Sequence, residues 1–322
     1  MRYKLIHISL LLFTSLQLFA QSSDHHLFFN QPVPGTTAVV FAPGIVSDEL
    51  GNRDMAIAPD ASEFFYTIQY RGGQFSVIMQ VQKINGKWSK PEVANFCGQY
   101  NDLEPAYSPD GNKLYFASNR PIPGSNGKDY NIWYVSKQSG KWIDPTPLQS
   151  AVNTSADEFY PSLTKTGNLY FTRAMKDKGE DIVLCKWVNG QYEEAVSLPG
   201  VINTAGDEFN AFVDADERYI IYSGYKRKGA YGIGDLYISK KNEQGEWGES
   251  NNLGNSINAT GLTYCPYVSP DKKYFFFTSS RNSGIKVPFE QPQTIRHLKE
   301  MTQQPLNGWD NIYWISTEQL LK

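Results

Sequence analysis

Five copies of one short pattern, recurring every 50 to 55 residues or so, constrain this chain's fold more than any other feature. The clearest runs from Asp102 through Ser108-Pro109-Asp110-Gly111 to Leu114-Tyr115-Phe116. Ala58-Pro59-Asp60 leads in the same way into Phe64-Phe65-Tyr66, and Lys165-Thr166-Gly167 into Leu169-Tyr170-Phe171. Asp214-Ala215-Asp216 precedes Tyr219 to Tyr222, and Ser269-Pro270-Asp271 precedes Tyr274 to Phe277. Pro presets φ for a tight turn, Asp accepts from the backbone beyond it, and the aromatic run that follows favours an extended strand.

A third strand is expected after each copy, at Ser76 to Met79, Asn131 to Val135, Asp181 to Leu184, Asp235 to Ile238 and Asn311 to Ile315. A fourth is expected to open on Gly86-Lys87-Trp88, Gly140-Lys141-Trp142, Gly190-Gln191-Tyr192 and Gly245-Glu246-Trp247. Four short strands per repeat with no sustained helical period describe one antiparallel propeller blade. The last repeat lacks its fourth strand, while Gly35 to Gly44 supplies an orphan one near the other end. Pairing the two closes a ring and leaves no long sheet edge open. The sequence therefore predicts an all-β fold, a β-propeller of about five four-stranded blades closed by the N-terminal strand. Six blades is the alternative, which requires one unit to be split.

Met1 to Ala20 carries Arg2 and Lys4, an apolar stretch from Leu5 to Phe19 and then small Ala20. That is the pattern of a cleaved secretory signal, and its apolar core is shorter than the roughly 20 residues that span a bilayer. The expected organisation is a signal peptide at 1–20, a lead-in at 21–34 and one propeller domain at 35–322, with a periplasmic or secreted location. Losing Arg2 and Lys4 moves the formal net charge from -3 to -5, a poor match to nucleic acid. Cys97, Cys185 and Cys265 lie far apart without metal-ligand spacing, and an odd count leaves a free thiol. Of four histidines only His297 lies clear of the N-terminal region, which leaves little for a histidine metal site or a Ser/His/Asp triad. No Gly-x-Ser-x-Gly elbow occurs.

The Ser-Pro-Asp-Gly turn, the aromatic strand after it, Ser118-Asn119-Arg120 and the Asp-Ile/Leu-Tyr strands resemble the WD40-like β-propeller repeats of the TolB family. The resemblance runs from about Gly35 to Ile315. It implies the fold and is weak for function, since propellers host binding modules and enzymes alike. The additional N-terminal α/β domain of that family has no room here, so its partner set is not carried over.

Aligned on the turn, the repeats place Asp54, Glu104, Tyr160, Asn210 and Cys265 in one column, and Asn52, Asp102, Glu158, Glu208 and Thr263 two residues earlier. A period of two sends both columns to one side of the strand. Facing the channel mouth, Asp54, Asp102, Glu104, Glu158 and Glu208 would suit Ca²⁺, a basic group or acid-base work on a glycoside. The competing reading makes them structural staples. Arg71, Arg120, Arg173, Lys226 and Arg281 recur after the second strand, as anion ligands or as salt-bridge partners of the acids. Tyr70, Tyr225, Tyr231 and Trp309 sit on the same loop face, where Asn282 to Trp309 is expected to carry a short helix and fold over the mouth as a partial lid. Asp157 and Asp207 are expected to bond within their own repeated loops. The functional expectation is a non-enzymatic binding or scaffold protein for a protein or glycan, without a cofactor; the alternative is a glycan-active enzyme.

Overall fold

The computed structural model describes residues 28–122, 124, 128–175, 177–281 and 288–321, and the expected signal segment falls outside them. The described part of the unit ending at Val33 is a turn in which the Gln31 amide donates to the Phe28 carbonyl at 2.7 Å. From Pro34 onward the described residues form five antiparallel blade sheets, one per sequence repeat, and a separate two-stranded hairpin. The five sheets are the blades of a five-bladed β-propeller.

The innermost strands are Gly51–Ile57, Asp102–Tyr107, Asp157–Leu163, Glu208–Val213 and Thr263–Val268, in blades 1 to 5. Each turns through its Pro-Asp, Lys-Thr-Gly or Asp-x-Asp corner into a second strand, at Glu63–Tyr70, Lys113–Ser118, Leu169–Met175, Tyr219–Tyr225 and Tyr274–Ser279. The third strands, Phe75–Ile84, Asn131–Gln138, Gly179–Cys185, Gly234–Lys240 and Asn311–Ser316, run longer than expected. The fourth positions also differ. In blades 1 and 3 the Gly-x-aromatic segment closes a small hairpin, Lys87–Trp88 against the end of the third strand and Gln191–Tyr192 against Trp187–Val188. The outermost strands there are Glu92–Val93 and Val196–Ser197.

Ring closure is as expected: Val39 and Val40 pair with Trp314 and Tyr313 as the fourth strand of blade 5. Phe41 follows them into the seam between blades 5 and 1, with its ring centroid 5.2 Å from Phe276, 5.4 Å from Trp314 and 6.0 Å from Phe64. Between blades 1 and 2 the wedge is filled by Phe65, Phe116 and Trp142, all essentially buried. Each such side chain contributes about 1.5–3 kcal/mol relative to exposure, so the seams between blades are a large source of stability.

A polar clasp recurs at these seams. Asn153, Asn203 and Asn258 each accept from one third-strand amide of the preceding blade, at Ile132, Ile182 and Leu236. Each also donates back to the carbonyl of that same residue. At the closure Ser47 takes over, its hydroxyl bonding both backbone groups of Ile312. Asp157 and Asp207, expected to bond within their loops, instead accept from Tyr130 and Glu180 of the preceding blade. The Asn-Thr-x-x-Asp repeat is thus an inter-blade fastener.

Candidate functional site

Every innermost strand carries a register shift at the same place: Arg53/Ala56, Leu103/Ala106, Phe159/Ser162, Phe209/Phe212 and Tyr264/Tyr267. The residue entering each bulge has a left-handed backbone, with φ of 62° at Asp54, 61° at Glu104, 50° at Tyr160, 47° at Asn210 and 50° at Cys265. None is glycine, and five such residues at equivalent positions in the ring mark a conformation held by its surroundings. What holds it is a hydroxyl column on the second strands. The amides of Asp54, Glu104 and Asn210 donate to the hydroxyls of Thr278, Thr67 and Thr172 of the preceding blades, at 2.9 to 3.2 Å. In blade 2 that column holds Ala117, which has no hydroxyl, and the Tyr160 amide donates to the Glu104 carboxylate at 2.7 Å instead.

Glu104 is therefore the hub of the ring. Its Oε1 accepts from Arg53 at 2.5 Å and from Asn210 at 2.9 Å. Arg53 also donates to Asp54 at 3.0 Å and to Cys265 Sγ at 3.2 Å, and its guanidinium lies 4.9 Å from the centre of the Tyr264 ring. Asp54 accepts in turn from the Glu104 amide at 3.1 Å. One buried network thus joins all five blades. Burial pushes the Glu104 carboxyl up to about 7 against the attraction of Arg53, with Asp54 adding to the rise. Burial also opposes the charge on Arg53, yet Asp54 and the other groups around it hold that guanidinium above its ordinary value. The Cys265 thiol is pushed well up by burial.

The second acidic column does not join this network. Because the bulge intervenes, a period of two no longer relates the columns, and Asp102, Glu158 and Glu208 are fully buried away from the axis. Asp102 pairs with Arg120 at 2.6 Å, Glu158 with Arg173 at 3.1 Å and Glu208 with Arg227 at 2.8 Å. These arginines continue to the carbonyls of Phe96, Val152 and Ile202 in the segments entering their blades. Burial raises the Asp102 carboxyl and pushes that of Glu158 up to about 6. In blade 5 Thr263 replaces the acid, and Arg281 bonds Ser279 and the Ile257 carbonyl while resting over Tyr313. The expected Lys226 is displaced by its neighbour Arg227. Lys226 has a φ of 50°, and its ammonium lies over Tyr225. Among the described residues no group of three His, Cys, Asp or Glu side chains is placed to hold a metal ion, so the Ca²⁺ alternative for the acidic columns finds no ligand set there.

The open part of the channel lies on the face opposite to the one expected. At the loop end Phe159, Phe209 and Leu262 pack around Tyr160, Tyr264 and Cys265, and Tyr264 donates to Asp310 at 2.8 Å, closing the axis above the ring. Below the ring a funnel of about 350 Å³ opens among the turns that join the first and second strands of all five blades. Its floor includes Glu104 and Tyr160, its walls Ile57, Ala106, Phe212 and Tyr267, and its rim Lys165 and Lys272. Those lysines are paired with Asp216 at 2.8 Å and Asp214 at 2.6 Å. The result is a mainly apolar cavity with a charge-neutralised rim and floor.

No family model matches the chain, and no curated protein does. Among solved structures it is similar to a putative TolB from Agrobacterium tumefaciens, 14% identical over 74% of this chain and 73% of that one, with a TM-score of 0.48. It is also similar to a thermostable family-43 glycoside hydrolase, 14% identical over 76% of this chain and 95% of the other, with a TM-score of 0.45. A third is a periplasmic gluconolactonase of Pseudomonas aeruginosa, 13% identical over 70% and 64%, with a TM-score of 0.40. The five-bladed propeller is consistent with the WD40-like, TolB-type repeat resemblance read from the sequence.

On the loop face the long blade-5 insertion departs from expectation. Its helix is present at Ile295–Thr302, capped by Thr294 accepting from the His297 amide, but none of its residues is buried. Ile295 is 70% exposed, so this helix is not packed down as a lid. Residues 282–287 of the insertion fall outside the described residues. Tyr70, Tyr231 and Trp309 are each about half exposed on this face. No helix among the described residues is long and apolar enough to cross a membrane.

Proposed function

We propose that the protein is an exported, non-enzymatic binding module whose ligand enters the funnel on the turn face. One observation carries this: a cavity shared by all five blades stands on a floor whose carboxylates are already engaged by Arg53, Asn210 and backbone amides. A cavity of this size with mainly apolar walls and few polar groups suits recognition of a small molecule or a chain end. Glu104 and Asp54 are the channel carboxylates, and both are engaged by Arg53 and by backbone amides. Glycoside hydrolysis needs two carboxyl groups free to act on opposite sides of a bond. The enzyme reading retains one supporting feature, a floor carboxyl with its titration raised to about 7, a range suited to a general acid.

Blocking the funnel tests the proposal. Ala106 lies on its wall and is half-buried, so Ala106→Trp directs an indole into open space rather than into packed core. Thermal unfolding against a panel of oligosaccharides and short peptides should show a raised midpoint with at least one probe, because ligands that bind only the native state stabilise it. Ala106→Trp is expected to abolish that shift. A shift retained in the variant would place the ligand elsewhere.

A further inference from the structure

A second depression adjoins the funnel. It is a groove of about 490 Å³ between the turns of blades 2 and 3, and the two share Ser108, Pro109, Leu163 and Lys165. A continuous path therefore leads from the axis to the edge of the disc. At its outer end stands Trp187, which breaks the pattern of the other blades. Trp142 and Tyr192 fill inter-blade wedges and are buried, whereas Trp187 is 42% exposed. Its ring is pressed against Gly167, where φ is +88° and a Cβ would come within 2.8 Å of the indole. Tyr192 meets it edge-on at 4.7 Å. The indole is thus fixed by its neighbours while much of its surface faces solvent.

The polar character of the groove selects among ligands. Both walls are tight turns whose backbone groups bond each other: the Ser108 amide to Lys113, Gly111 to Ser108, Thr164 to Asn168 and Gly167 to Thr164. These turns offer no edge of their own to an extended peptide, which adds to sheets through its main chain; the strand edges nearest the groove are those of the Trp187–Val188 and Gln191–Tyr192 hairpin at its outer end. What the groove does offer is an aromatic platform flanked by side chains, with exposed Asp110 bonded to Ser108 and Asn112, the Lys113 ammonium over Tyr134, and Lys165 already neutralised by Asp216. Balanced charge with a fixed aromatic surface matches a chain of uncharged rings, whose C–H faces pack on the indole while their hydroxyls meet the polar side chains.

Resting on the assignment of the funnel as a binding site, we propose that this groove is a subsite for a neutral oligosaccharide running outward from the funnel, with Trp187 as its stacking platform. The test is calorimetric titration of the purified protein with maltohexaose, cellohexaose, laminarihexaose, xylohexaose and chitohexaose, with decaproline as the peptide probe. At least one hexasaccharide is expected to bind, and Trp187→Ala to weaken it by about tenfold or more. Trp187→Tyr should recover most of the affinity, and circular dichroism of the sugar-free proteins should show both variants folded like the wild type. Binding of none of the five sugars, equal binding by Trp187→Ala, or a Trp187-dependent decaproline complex would each overturn the assignment. A sugar or decaproline blocked by Ala106→Trp but indifferent to Trp187→Ala would refute the groove and leave the funnel reading standing.

Discussion

Arg53→Ala is expected to destabilise the propeller by about 3–5 kcal/mol, the range seen when one partner of a buried ion pair is removed. Arg53 and Glu104 are 8% and 4% exposed, so water cannot replace the lost guanidinium. The variant strands two carboxylates, Asp54 and Glu104, and leaves a void where the side chain met Cys265 and Tyr264. The loss should be greatest above about pH 7, where Glu104 is ionised, and smaller in acid, where a proton takes over part of the neutralisation. Urea denaturation curves at about pH 5.5 and about pH 8 read both effects. Arg53→Met combined with Asp54→Asn and Glu104→Gln should be clearly less damaging than Arg53→Ala, since it removes every charge of the cluster instead of stranding two carboxylates. A loss below about 1 kcal/mol for Arg53→Ala, the scale of an exposed pair, would mean that the hub does not hold the channel together.

The second large effect concerns pH. Glu104 titrates at about 7 in the folded protein, against an ordinary 4.5 once unfolded. Between those values the native state keeps a proton that the unfolded chain has released, so stability falls as pH rises through the window and levels off above it. A tenfold change in proton affinity corresponds to about 1.36 kcal/mol, so the contribution lost across the window is at most about 3 kcal/mol. Glu158, raised to about 6, acts in the same direction. The Glu104 share is isolated as the difference between wild type and Glu104→Gln, because the Glu158 contribution is common to both. The wild type should lose stability relative to the variant from about pH 4.5 to 7. Parallel pH profiles would show that Glu104 does not titrate in this range.

Much of this architecture was legible because each repeat carries its own turn chemistry. Ser-Pro-Asp-Gly and its variants marked the corners, the aromatic runs marked the second strands, and the orphan strand around Val39 announced the closure. Which face would be open was not legible. That depended on a bulge whose key residues, Asp54, Glu104, Tyr160, Asn210 and Cys265, have no type in common and include no glycine. A signal was nevertheless present: Thr67, Thr172, Ser223 and Thr278 occupy one column of the second strands, with Ala117 as the exception, and three of these hydroxyls receive the bulge amides. The acid-arginine repeat was visible, but a strict period of two sent both acidic columns to the same side, which the bulge prevents. Lys226 was chosen over Arg227 because an irregular residue at the end of the strand displaces the count by one. The short helix expected between Asn282 and Trp309 is present at Ile295–Thr302, yet a sequence pattern that predicts a helix does not say whether anything covers its apolar stripe.

Binding without turnover is the central claim, and the most direct measurement is calorimetric titration of a bound hexasaccharide into wild type and Glu104→Gln, with the incubated sugar then analysed for cleavage products. The predicted result is similar affinity in both proteins, intact sugar in both, and no binding to Ala106→Trp. Cleavage by the wild type that disappears in Glu104→Gln while binding persists would contradict the account and make Glu104 a catalytic acid.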